Sequence, residues 1–401
     1  MSDYTDTLNF IGADIYPEEA DFRDQIEQVV SLFREFDEAL DVYVSEHETT
    51  LLLEREGVNW QMLPVQDKVQ RIRTCFHNAG MKTPRDMDKW WTQHRRPKRD
   101  TTIPLCIALG LSYAESLDFM RRVCLERGFD FHNPEELVLA LTIRERWKFV
   151  QTEQVLAFAE SIRKDLSDTQ ASACQAVYTR KIIAETEGIK TPEELQAYLE
   201  IHRNDFAANF ITASEYIRRI WDEIAEKNGL AAWERAEGVC RGTREEERTV
   251  EGSVWDVYLQ ILGVDIARKE LLTDRSLKLY LKDNVLLHPI AEACFPDKQG
   301  ILLALRGEHI SNERMRKLLI LLGFYRFQMR RCFSAGDVNA YANPDDDVRC
   351  ISFLNAMLTE CGFDELYAGN PYDWAFLYAA RMDLPLEAFR MIMQEIVLEN
   401  G

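Results

Sequence analysis

The sequence predicts an all-α, multi-helical fold built from internally repeated helix-pair units, and three observations carry that prediction. The 401 residues are 46% hydrophobic and 29% charged with only 18 Gly and 12 Pro, a balance that favours long helices over turn-rich β structure. Apolar residues recur at three- and four-residue spacing through segments rich in Leu, Glu, Ala and Arg. The chain also resembles itself in three places, the signature of stacked repeats.

Unit A is "GMKTPRDMDKWWTQHR" (80–95), which matches "GIKTPEELQAYLEIHR" (188–203) without a gap. It reads as a helix start: Thr83 and Thr191 are N-caps, Pro84 and Pro192 occupy the first helical position, and acidic residues follow in the first turn. Unit B is "RDTTIPLCIALGL" (99–111) against "NERMRKLLILLGF" (312–324), an amphipathic helix expected to stop at Gly110 or Gly323. Unit C is "FMRRVCLERGFDFHNPEELVLAL" (119–141) against "FLNAMLTECGFDELYAGNPYDWAFLY" (353–378). Here a helix ends near Gly128 or Gly362, and Asn133-Pro134 or Asn370-Pro371 starts the next.

These units divide the chain into an N-terminal helical cap (1–65), a helix-turn-helix-like module with its following helices (66–150), a second helical repeat (151–230) and a C-terminal helical repeat domain (254–401). The charged, glycine-containing stretch 231–253 is the expected boundary, and 335–347 reads as an exposed insertion. The first ten residues are acidic and lack the order of a signal peptide, and the longest apolar runs fall well short of the roughly 20 residues a membrane span needs. A cytoplasmic protein without membrane contact is expected. The nine Cys occur singly, without metal-finger spacing, and read as reduced thiols buried in helices.

The net charge of -20 excludes a protein that coats nucleic acid with its whole surface. Charge is nevertheless local: between Asp67 and Asp100 ten Lys or Arg face four Asp, and "HRRPKRD" (94–100) is the densest part. In the second copy of unit A, Asn204-Asp205-Phe206 replaces Arg96-Pro97-Lys98, so the repeat does not itself require basic character.

Gly80-Met81 as a turn, Met87 and Trp90 as core positions, the basic loop at 94–97 and the helix "RDTTIPLCIALGLS" together resemble the Cro/phage-repressor (Xre-like) helix-turn-helix class of bacterial regulators over residues 66–127. The resemblance implies a recognition helix from Thr83 that presents Lys82, Arg85 and Lys89 to duplex DNA, with Arg95, Arg96, Lys98 and Arg99 gripping phosphates. It implies transcription regulation, with the acidic remainder binding a protein partner or forming a homo-oligomer. The strings "RRVCLERGFD" and "LYAGNPYDW" are similar to those of Firmicutes-type helical proteins, a resemblance that implies an architecture and no activity.

A rival reading is a non-catalytic interaction scaffold of stacked helices whose basic loop docks an acidic protein. A further one takes the Arg127 to His132 spacing, similar to the paired Arg and His of HEPN ribonucleases, as an RNA-cleaving pair. There is no phosphate-cradling glycine loop, no HExxH and no GxSxG, so no enzyme class is indicated by motif. Neither cofactor nor metal is expected: Asp345-Asp346-Asp347 reads as a helix N-terminus, and His94 and His202 as partners of helix C-termini.

Overall fold

A helix with one apolar stripe is stable only when a neighbour covers that stripe, so a chain of such helices stacks. In the computed structural model of the protein, residues 34–47, 59–168, 179–237, 250–263, 298–306 and 312–398, with 308 and 310, are described. Among them there is no β-strand, and the fold is all-α. The chain forms two compact units, Phe33–Asn209 and one that includes Phe210–Gly401. Part of the expected boundary at 231–253, and most of the N-terminal cap, lie outside the described residues.

The first unit contains α1 (Phe36–Glu46), a 3-10 turn (Trp60–Met62), α2 (Val65–Asn78), α3 (Lys89–Thr92), α4 (Arg99–Ala108), α5 (Tyr113–Arg122), α6 (Pro134–Arg144), α7 (Phe149–Asp168), α8 (Thr179–Thr186) and α9 (Pro192–Ile201). The cap logic of the sequence is visible where it forms. Asn133 accepts from the Glu135 N–H ahead of Pro134, Ser112 and Glu115 close a capping box on α5, and Thr191 and Glu194 close another on α9. The Ser112 hydroxyl and backbone hold the Glu115 carboxyl below its ordinary range.

The first copy of unit A departs from this pattern. Thr83 and Pro84 are irregular, residues 85–88 form a turn and only Lys89–Thr92 is helical, so the helix expected from Thr83 is not formed. The second copy has Glu194 to complete its capping box, whereas the corresponding Asp86 pairs with Lys89 (3.3 Å) and Arg95 (3.6 Å). Two indoles then fix the segment from the side: Trp91 donates to Asp41 (3.2 Å), and Trp90 packs edge-on against Phe36 with centroids 5.4 Å apart. Tertiary contacts thereby replace the local helix.

The second unit runs α10 (Arg203–Ala225, which begins in the first), α11 (Leu230–Ala236), α12 (Val250–Ile261), α13 (Lys298–Arg306), α14 (Asn312–Ala335), α15 (Asp346–Glu360), α16 (Pro371–Ala380) and α17 (Pro385–Leu398). Trp374, Phe376, Tyr378 and Phe389 fill its core as expected. Asp346 and Asp347 lie in the first turn of α15, where the helix dipole favours them. Gly110 and Gly362 end α4 and α15, but Gly323 does not stop its helix. It sits inside α14, where an added Cβ would meet Met357 Cε at 2.7 Å and Leu354 Cδ2 at 2.9 Å, so its missing side chain permits close packing of α14 on α15.

Units B and C share a further device that their sequences do not announce. Arg99 forks onto Glu136 (2.7 and 2.6 Å), bonds Glu126 (2.9 Å), and donates to the Arg127 and Gly128 carbonyls. In the second unit Arg316 forks onto Asp373 (2.8 and 2.7 Å) and donates to the Asp364 and Glu365 carbonyls. Glu136 and Asp373 occupy the same place, two residues after the helix-starting proline, and each also accepts a loop N–H, from Asp130 or Tyr367. A buried arginine thus clamps the GFD loop to the next helix in both copies, from non-equivalent positions of unit B.

Candidate interaction surface

α2 carries its chain into the Gly80 turn through a Schellman arrangement: Gly80 N–H reaches His77 O (3.0 Å) and Met81 N–H reaches Phe76 O (2.9 Å). Gly80 has φ +72°, a conformation only glycine adopts without cost. Met87 and Trp90 point into the core, as the sequence predicts, and Met81 of the turn is buried with them. The polar residues between them consequently face solvent.

The seven cations named from sequence have separate fates. Lys82, Arg85 and Lys98 are exposed and have no ion-pair partner among the described residues. Lys89 and Arg95 share Asp86. Arg96 is half-buried, its Nη2 3.4 Å from the Arg34 carbonyl. Arg99 is not a surface group: all five of its N–H donors are used inside the protein. Burial opposes its charge, and the Glu136 and Glu126 carboxylates outweigh that, holding its pKa above the ordinary guanidinium range. Lys68, within the same basic stretch, is also internal, bonding Asp41 at 2.5 Å, and Asp41 takes the Trp60 indole N–H at 2.9 Å as well.

Acidic groups of α1 border the loop. His94, at φ +49°, places Nδ1 3.0 Å from Asp37 Oδ1. That hydrogen bond raises the imidazole above its ordinary range against the opposing effect of burial, with the charges of Asp37, Glu35 and Glu38 adding to it. In the second copy His202 caps α9 and stacks on Tyr198, with centroids 4.3 Å apart. Asp37 gives no sequence signal of this role, because it lies 57 residues from its partner.

Arg127 and His132 lie in the loop between α5 and α6 rather than on one helix, and are 6% and 7% exposed. Arg127 Nη2 lies 3.4 Å from Asp130 Oδ2, and the Asp130 carboxylate also accepts the His132 backbone N–H at 3.0 Å. The arrangement holds a loop together. In the second unit a shallow groove is lined by Glu215, Arg218, Arg219, Asp222, Glu226 and Arg330, all charged, around a Glu223 already paired with Arg326 and Arg330. Among the described residues no group of three or more His, Cys, Asp or Glu is placed to hold a metal ion, and no helix is long and apolar enough to cross a membrane. No known family, curated protein or solved structure matches the chain.

Proposed function

We propose that the protein is a non-catalytic interaction scaffold whose repeated helix units carry a cationic docking surface for an acidic protein partner. The observation that carries this reading is the exposure of Lys82, Arg85 and Lys98 without ion-pair partners, on a repeat whose other copy folds without a matching cationic set. The second copy has Glu193 at the position of Arg85 and Phe206 at that of Lys98, and its Lys190 is paired with Glu145 (3.1 Å). Folding therefore leaves these three charges unused, and a solvent-facing cationic patch on an acidic protein steers acidic surfaces toward itself.

A second reading, a DNA-binding regulator, is favoured by one observation: the Gly80 turn, the buried Met87 and Trp90, and α4 ending at Gly110 lie where the Xre-like resemblance implies them. Without a helix from Thr83 that reading is limited to phosphate contact, which carries no base information. The two separate in a salt-titrated binding assay, using a labelled oligoglutamate peptide and a labelled random-sequence duplex. The scaffold reading expects peptide binding that Lys82→Glu, Arg85→Glu and Lys98→Glu together abolish. Duplex binding that the triple variant removes while the peptide never binds supports the regulator instead. Peptide binding unchanged in the triple variant overturns the assigned surface.

A further inference from the structure

The hairpin of α14 and α15 ends in a turn that holds side chains outward. Gly336 N–H closes on Phe333 O (3.1 Å) and Asp337 N–H on Cys332 O (3.2 Å), ending α14. Arg331 Nη1 then donates to the Ala340 and Tyr341 carbonyls (2.9 and 2.6 Å), and Ala342 N–H donates to Asp383 O (2.8 Å). With its backbone fixed at both sides, the turn leaves Tyr341 70% exposed, and Phe333 and Val348, at the adjoining helix ends, are each 57% exposed. Asp337 and Asp345 are exposed on the same turn and Asp347 is half-buried, and none of the three has a cationic side-chain partner among the described residues. An apolar centre with a charged rim, carried on rigid backbone, is the anatomy of a docking tip.

The cationic surface of the first unit has the complementary composition. Val150, 63% exposed, lies beside Gly80, since a Cβ added there would stand 3.0 Å from Val150 Cγ2. Lys82 follows that turn, and Lys148, also exposed, precedes Val150 by two residues. One surface sets Val150 among the exposed Lys82 and Lys148, with Asp86 and Asp88 further along the segment, and the other sets Tyr341, Phe333 and Val348 among Asp337, Asp345 and Asp347, with Arg349 beside Val348.

We infer that the acidic partner is a second copy of this chain, seated by its α14–α15 tip on the surface around Gly80. This rests on the docking reading above and names its partner. Because the two faces differ, association is head-to-tail: each copy offers one tip and one socket, and the assembly grows unless it closes into a ring. The charges sit at the rim and screen readily, so association weakens as salt rises.

Sedimentation velocity of the full chain over a concentration series tests this at low and moderate salt. The expected result is concentration-dependent assembly whose association constant falls roughly tenfold or more as screening shortens the electrostatic range to about 8 Å. The socket variant Lys82→Glu/Arg85→Glu and the tip variant Asp337→Lys/Tyr341→Ala each sediment as monomers. Mixing the two gives a 1:1 heterodimer, because each retains the face the other lacks. All substituted residues are exposed, and unchanged far-UV circular dichroism and melting confirm that both variants fold. A wild type that stays monomeric at every concentration overturns the inference, as does assembly indifferent to both variants. A mixture with no heterodimer also overturns it. If the tip variant behaves as wild type while the socket variant loses an acidic peptide, the docking surface stands and self-association is the part that fails.

Discussion

Removing the Arg99 guanidinium, as in Arg99→Met, separates a structural arginine from a ligand-binding one. The substitution leaves the Glu136 carboxylate, 9% exposed, without its bidentate cation and frees the Arg127 and Gly128 carbonyls of the loop. Breaking a buried pair by deleting one partner costs about 3–5 kcal/mol, because the remaining charge stays desolvated. Glu126, 23% exposed, adds little to this because water reaches it. The loss is a large part of a domain stability of about 5–15 kcal/mol. Hydrogen exchange is the suitable assay, since it reads each compact unit separately: peptides over 123–144 lose protection first, whereas those of α14 to α17 do not change. Introducing Glu136→Met into Arg99→Met recovers part of the loss, since no charge is then left unpaired. An Arg99→Met protein with wild-type protection, melting within about 0.5 kcal/mol of the parent and unable to bind an anionic partner, refutes the assignment.

Other outcomes follow from the same geometry. Gly80→Ala places a Cβ in a left-handed conformation and against Val150, and lowers stability by about 1–2 kcal/mol in urea titrations. Gly323→Ala lowers thermal stability although alanine favours helix: crowding against Met357 and Leu354 costs about 1–3 kcal/mol, more than the gain of up to about 1 kcal/mol from propensity. The Asp37 hydrogen bond raises the His94 imidazole above its ordinary value of 6.5, so the stability its protonated form contributes is complete below that value and is lost as pH rises through the raised folded pKa. An NMR titration reads this directly, and Asp37→Asn returns the midpoint toward 6.5.

The helical architecture was legible because periodicity and caps are local. Asn133, Asn370 and Thr191 announce helices in the residues beside them, and the structure forms those helices. The first copy of unit A misled for the opposite reason. Thr83-Pro84 is a good local start, but Asp86 is drawn to Lys89 and Arg95, and Trp91 to an Asp41 that lies 50 residues away. Gly323 shows the same limit, since its reason lies on α15 and not in its neighbours. In the candidate site, charge density found the right region but could not sort it. Arg99 and Lys98 are adjacent in sequence and alike in charge. Glu136, 37 residues on, together with Glu126 and the Arg127 and Gly128 carbonyls, makes one of them internal.

The most direct measurement of the central claim is a nuclease-treated pull-down with the intact chain as bait, run beside the Lys82→Glu/Arg85→Glu/Lys98→Glu variant. Docking of an acidic protein predicts a stoichiometric protein partner, a further copy of the chain included, that survives nuclease, elutes as salt rises and is absent from the variant. A partner held equally by both baits, or one released by nuclease, contradicts it.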